Sequence, residues 1–243
     1  MLIVRDIMIT KLITVTPDDT LAHAANLLRQ HGFHHLPVTR IVKGVTLQHQ
    51  ENEKPEKALL LEGLLTAQDI DLAAALAQQE EADDSQHLWQ ERHVAEVMHS
   101  ASLRVTPTTS IAAAAQMLVG RNLNYLPVVD YGLLDGENRA ILVGLITRSD
   151  LMLALARVMG ALEPGMQLDI LLPTGDIAHF GRALTLASEL HMNVRSVIAS
   201  PDIDGVIRVA TMRLGTINPT PLLMRFKAEN IQFSFGNSFT EGG

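Results

Sequence analysis

An internal repeat sets the terms on which this chain folds. The stretch DIMITKLITVTPDDTLAHAANLLRQHGFHHLPVTR (6–40) aligns without a gap on EVMHSASLRVTPTTSIAAAAQMLVGRNLNYLPVVD (96–130). Met8 meets Met98, Pro17 meets Pro107 and Pro37 meets Pro127, a constant offset of 90. Further on, GLLTAQDID (63–71) returns as GLITRSDLM (144–152), and from Thr66 to Thr147 the offset is 81. The first copy therefore carries nine extra residues within KGVTLQHQENEKPEKALLLE, whose polar makeup suits a surface loop. Self-similarity on this scale means that one supersecondary unit is built twice and that neighbouring units share their burial.

Both copies have the same local pattern. A β-branched run, LITVTP or LRVTP, predicts a short strand ending at Pro, with Asp18/Asp19 or Thr108/Thr109 as candidate helix N-caps. The helix that follows places Leu21, Ala24, Ala25 and Leu28, or Ile111, Ala114, Ala115 and Leu118, on one face of a 3.6-residue period. Gly32 and Asn122 are the aligned stop signals, because both tolerate the left-handed cap. Then come HLPV or YLPVV, a loop, a further strand LLLEGLLT or AILVGLIT, and a second helix from AQDIDLAAALA or RSDLMLALARV. The unit reads β, α, β, β, α over roughly sixty to seventy residues, too few to bury a comfortable core alone. Two copies packed by their sheets solve that problem. Between them QQEEADDSQHLWQERH is polar and Pro-free and reads as a continuation of a helix or a helical linker.

Composition narrows the class. With 47% hydrophobic and 19% charged residues, the chain has the profile of an ordered soluble protein rather than a disordered one. No window approaches the ~20 apolar residues of a membrane span, and MLIVRDIMITK lacks the order of a signal peptide, so the expected location is cytoplasmic, with no membrane partner. Zero cysteines remove disulfides and thiol catalysis together. A formal charge of −8 argues against nucleic acid as a partner, since backbone binding needs clustered Lys and Arg.

The segment from 164 to 236 has a different rhythm. MQLDILLP, NVRSVIAS, DGVIRVATMRL and IQFSF read as strands, and HFGRALTLASELHM and NPTPLLMRFKAEN as helices. That order, βαββαβ, is the ferredoxin-like plan. Pro219 and Pro221 fall at the first turn of the second helix, where a missing N–H costs little.

The paired motif, Met, Val-x-Pro, LPV and GL-x-T-x-x-D, resembles the cystathionine-β-synthase (CBS) domain pair, or Bateman module. The resemblance implies an α/β (α+β) fold with a CBS domain over 1–75, a linker over 76–93, a second CBS domain over 94–160 and a pseudo-two-fold arrangement of the pair. The order of the last segment, with its turn GDIAHFGRAL, resembles an ACT domain over 164–237. Such domains often bind amino acids at a dimer interface, which makes Gly181 and Asn193 candidate amino-acid-binding residues; Phe180 stands where the family usually has Pro. The whole order, with the closing TINPTPLLMRFKAENIQF, resembles the bacterial acetoin-utilisation protein B family. By that resemblance the protein is a non-catalytic sensor of an adenosine-containing ligand: AMP, ADP or ATP, with S-adenosylmethionine or NAD as further candidates. A homodimer and an as yet unidentified regulated protein are the implied partners.

GLLTAQD admits two readings. In one, Thr66 caps the helix and Asp69 returns to the cap amide, a capping box. In the other, the helix start faces a phosphate and Asp69 accepts from ribose hydroxyls. Copy two adds Arg148 and Ser149 between Thr147 and Asp150, a cation and a hydroxyl where an anion would sit. Copy one has Ala67 and Gln68 there, so its phosphate would draw charge from Lys11 or Arg5, and the second site is expected to bind phosphorylated ligands better. By resemblance, Thr10, Ile13 and Thr14 with His35, Leu36 and Pro37 line one cleft. Ser100, Leu103 and Arg104 with Tyr125, Leu126 and Pro127 line the other, where Tyr125 is either a purine platform or a half-buried surface ring.

His31, His34 and His35 suggest a metal, but no Asp, Glu or Cys stands beside them and Gly32 breaks the helix that would align them. A cleft-lining or loop role is the expectation, with no metal. GxSxG, HExxH, GxxxxGK[ST] and GxGxxG are all absent from the sequence, so no catalytic residue is named. Two alternatives to the nucleotide sensor are an interaction module that dimerises through its domains, and an amino-acid sensor built on the last segment.

Overall fold

The computed structural model describes residues 2–47, 57–80 and 89–235. Most of the loop expected between the first copy's strands (48–56), the middle of the linker (81–88) and the last residues of the C-terminal segment (236–237) lie outside the described residues. The chain divides into two compact units, Met1–Leu151 and Met152–Gly243.

In the first unit, copy one contributes α1 (Leu21–His31), β1 (His35–Val42), β2 (Thr46–Leu47), β3 (Ala58–Thr66) and α2 (Ala67–Glu80). Copy two contributes α3 (Ile111–Gly120), β4 (Tyr125–Leu134), β5 (Glu137–Thr147) and α4 (Arg148–Val158), which runs on past the division. The helices start one residue later than expected. Thr20 and Ser110 are the caps, accepting from the His23 and Ala113 amides at 3.2 Å each, while Asp19 and Thr109 close the preceding turn onto the Thr16 and Thr106 amides. The stops fall as read: Gly32 and Asn122 take left-handed φ of 65° and 51°.

The strand expected at the head of each copy shrinks to one parallel bridge, Val15 with Val38 and Val105 with Val128. Pro17 and Pro107 two residues on have no N–H to extend the ladder. The two copies do not stay in separate sheets either. Leu60 pairs with Ile141, giving one five-stranded sheet in the order β1-β3-β5-β4-β2. Leu61 and Leu64 of copy one pack with Ala101, Val129 and Leu142 of copy two in a shared core.

The N-terminal arm of each copy crosses to the other. A 3₁₀ turn at Val4–Asp6 hangs on copy two through Val4 N–H to Thr109 O and Arg5 N–H to Pro107 O, both 2.9 Å. Its counterpart at Val94–Glu96 hangs on copy one through Val94 N–H to Asp19 O at 2.8 Å and Ala95 N–H to Pro17 O at 2.9 Å. Val4 is wholly buried in the core of copy two. Val94 is as deeply buried in the core of copy one. Beyond each turn the arm pairs with the other copy's last strand, Ile9 with Leu145 and His99 with Leu64.

This crossing explains the glycine at the head of each GL-x-T-x-x-D motif. A Cβ on Gly63 would stand 2.9 Å from the His99 carbonyl oxygen. One on Gly144 would stand 2.6 Å from Met8 Sδ and 3.2 Å from the Ile9 carbonyl oxygen. The arm can lie against the strand only where no side chain projects.

In the second unit, β6 (Met166–Leu171), α5 (Ala178–Glu189), β7 (Val194–Ala199), β8 (Val209–Leu214), α6 (Thr220–Ala228) and β9 (Phe233–Phe235) follow the βαββαβ order. The antiparallel sheet runs β7-β8-β6-β9, the ferredoxin-like arrangement. Both helices bury one face on it through Phe180, Ala183, Leu186, Leu222 and Phe226. Pro219 is the N-cap of α6 and Pro221 lies in its first turn.

Candidate functional site

The GL-x-T-x-x-D motifs begin α2 and α4, and both form complete capping boxes. Asp69 Oδ2 accepts from the Thr66 amide at 2.8 Å and its hydroxyl at 2.6 Å, and Thr66 Oγ1 accepts from the Asp69 amide at 3.1 Å. Asp150 and Thr147 repeat this at 2.8, 2.7 and 3.2 Å. The amides of Ala67 and Arg148 are spent as well, on the carbonyls of His34 and Asn124. Each motif thus presents a fixed Thr–Asp pair and a helix start whose dipole favours an anion, with part of its donor set already used.

Because the arms cross, each motif faces the other copy. Thr147 and Leu145 share a cavity of about 110 Å³ with Ile9, Lys11, Ile13, His35 and Pro37. Asp69, in turn, meets copy two: His99 Nδ1 lies 3.4 Å from its Oδ2, and its charge is felt at Tyr125. Lys11 therefore stands beside the motif of copy two rather than that of copy one, against the expectation drawn from their order in sequence. His99, Ile9, Phe33 and Leu145 were not among the residues singled out from the sequence. The repeat held the signal, because the arm aligns at offset 90 and its motif partner at offset 81, yet nothing local says that the arm crosses.

Between the clefts His35 and Tyr125, equivalent positions of the two copies, stack on each other with ring centroids 3.4 Å apart and planes at 11°. One face of Tyr125 is therefore taken by His35. Burial lowers the His35 pKa from 6.5 to about 4, with the neighbouring His34 adding to the effect. Tyr125 is pushed up to about 12 by burial first and the Asp69 carboxylate second. Both rings are neutral at neutral pH.

Of the remaining expected residues, Pro127 is buried like its counterpart Pro37, and the others divide into three groups. Leu36 and Leu126 are wholly buried in the cores of their own copies, because alternate strand residues face opposite ways; their side chains cannot line a cleft, whereas those of their neighbours can. Thr10, Ser100, Gln68 and Ser149 are exposed, and Thr14 and Leu103 half-buried. Arg104 lies over the Tyr131 ring at 5.9 Å.

Arg148 also departs from its expected role. Its Nε donates to Leu123 O at 2.7 Å, and one terminal nitrogen donates to Leu118 O at 3.2 Å and Asn122 Oδ1 at 3.0 Å. The guanidinium closes the C-terminal end of α3, where unsatisfied carbonyls and the dipole attract a cation, so it is not aimed at an anion by the Thr147 cap. Gly181 likewise is not a turn residue. It sits in the first turn of α5, its amide bonded to Ile177 O at 3.0 Å, while Asn193 follows the far end of that helix.

Among the described residues no three metal-ligating side chains gather, and no helix is long and apolar enough to cross a membrane.

A family model described as CBS domain matches residues 4–74 and 94–157. The CBS domain-containing protein YhcV of Bacillus subtilis (strain 168) is 30% identical over 148 residues, 61% of this chain and 81% of that protein. Among solved structures, CBSX2 in complex with AMP is 23% identical with a TM-score of 0.44, covering 64% of this chain and 97% of that one. A chain described as an acetoin utilization protein (AcuB) from Vibrio cholerae is 25% identical with a TM-score of 0.44, covering 68% and 99%.

Proposed function

This chain belongs to the CBS domain family, and from that premise we propose that it is a non-catalytic sensor of an adenosine-containing ligand held in the clefts between its two copies. One observation carries the reading: the cleft that holds Thr147 is lined from copy one by Ile13, His35, Pro37 and Lys11. A ligand there touches both copies at once, so its affinity depends on their mutual angle, which is what a sensor requires. The Thr–Asp pair offers ribose acceptors and Lys11 offers a phosphate its charge. In the other arm the position aligned with Lys11 is Ala101, which carries no charge for a phosphate, and the phosphorylated forms AMP, ADP and ATP therefore favour the cleft of Thr147. The cleft proposed is the one expected from the sequence, with Lys11 in place of Arg148 as the proposed cation.

The regulated partner, a cytoplasmic location, ACT-type regulation by the second unit and kinship with the acetoin-utilisation protein B family are parts of the same proposal. A homodimer is supported by apolar side chains left exposed on helices, Leu72 at 59% and Leu76 at 47% on α2, and Met152 at 67% and Leu155 at 53% on α4. The reading as an interaction module without ligand is favoured by one fact, that both motif carboxylates are already engaged in their own caps.

Thermal melting of the full chain with AMP, ADP, ATP, S-adenosylmethionine and NAD separates the two. A ligand at a hundred times its Kd stabilises by about 2.7 kcal/mol, and Asp150→Ala should remove more of that gain than Asp69→Ala. No shift with any of the five leaves the interaction module standing.

A further inference from the structure

The end of α1 and the end of α3 share one backbone. Phe33 N–H to Leu28 O at 2.9 Å matches Leu123 N–H to Leu118 O at 2.8 Å, and Ala67 N–H to His34 O at 3.0 Å matches Arg148 N–H to Asn124 O at 3.1 Å. In copy two the space at this junction is filled by the Arg148 guanidinium, which bonds the Leu118 and Leu123 carbonyls and Asn122. In copy one the aligned residue is Ala67 and the aligned space is a cavity of about 340 Å³ lined by Leu28, Gly32, Phe33, Ala67, Ile70 and Asp71. That volume is within the range of small-molecule pockets, roughly 300 Å³ upward.

We propose that this cavity binds the guanidinium group of a small guanidino compound, in the place Arg148 occupies in the other copy. The Leu28 and Phe33 carbonyls stand where the Leu118 and Leu123 carbonyls accept from Arg148, and the C-terminal end of α1 adds its partial negative charge. The side chains have changed in the complementary sense. Asp71 lines the cavity where copy two has Met152, so copy one has lost its internal cation and gained an acid. Arg29, also at the cavity where copy two has Val119, offers a cation to a carboxylate. The occupant is therefore a guanidino acid of arginine's size in preference to a simple guanidino amine. The cavity lining does not include Thr66 or Asp69, and the inference stands or falls independently of nucleotide binding.

The test is titration of the full chain, without nucleotide, with arginine, agmatine and lysine, followed by amide NMR. The expected result is saturable shifts at Gly32 and Ala67 with arginine, weaker with agmatine and at least tenfold weaker with lysine. Ala67→Arg, which places the chain's own guanidinium in the cavity, should abolish those shifts and raise the melting temperature. No saturable shift in the wild type, or the same shift in Ala67→Arg, overturns the proposal. Arg148→Ala opens the equivalent space in copy two and supplies the control. Agmatine or arginine should then bind twice and recover part of the lost melting temperature; recovery in this variant with no binding in copy one of the wild type overturns the assignment.

Discussion

The two halves of the first unit use the same backbone in different company. Each begins its second helix with a Thr–Asp box, each ends its first helix in a left-handed residue, and each receives the other's arm against a glycine. What differs is the side-chain setting. Copy two ties its helix end with Arg148 and places its Thr–Asp box beside Ile9 and Lys11, while copy one leaves its helix end open and meets His99. Duplication has kept the geometry and let the chemistry diverge, so the two clefts and the two helix ends are chemically unequal surroundings.

The largest test of this comparison concerns the arms. Gly63→Ala drives a Cβ against the His99 backbone oxygen, which cannot step aside, whereas Gly144→Ala mainly meets the flexible end of Met8. Overpacking of this kind costs about 1–3 kcal/mol, and urea denaturation should place Gly63→Ala at the upper end and Gly144→Ala at the lower. Equal losses would mean that the arms are held more alike than the contacts indicate.

The boxes should behave as equals. Thr66→Val and Thr147→Val each remove the cap acceptor and are expected to cost about 1 kcal/mol in the same assay. A clear difference between them would move the asymmetry into the helix starts themselves.

The stacked rings supply a test of a different kind, read against pH. His35 takes up its proton near 6.5 when unfolded and near 4 when folded. As pH falls through that window the unfolded chain binds a proton the folded one refuses, and stability declines with acidification until about pH 4 is reached. A series of melts from pH 7 to pH 4 should show the decline, and His35→Phe should flatten it. An unchanged slope in that variant would assign the titration to another group.

Much of this architecture is written locally. The helices, their left-handed stops, the capping boxes and the βαββαβ order follow from period, Gly and Asn placement, and Thr and Asp spacing, all of which act within a few residues. What was not legible depends on distant partners. Val4 and Val94 look like ordinary β-branched residues, and nothing near them in sequence names the core they enter. Arg148 follows a cap threonine, which suggests an anion site, until the carbonyls of Leu118 and Leu123 claim it. Leu36 lies between two cleft-facing neighbours, His35 and Pro37, and only strand alternation turns it into the core.

The exchanged arms have one more consequence. If the chain were severed anywhere in its linker, neither fragment would be whole. The first would carry a plug, Val4, with no socket to enter, and a socket missing Val94; the second would carry the reverse. The pieces are complementary halves of a clasp, and mixing them should rebuild what the covalent connection had joined.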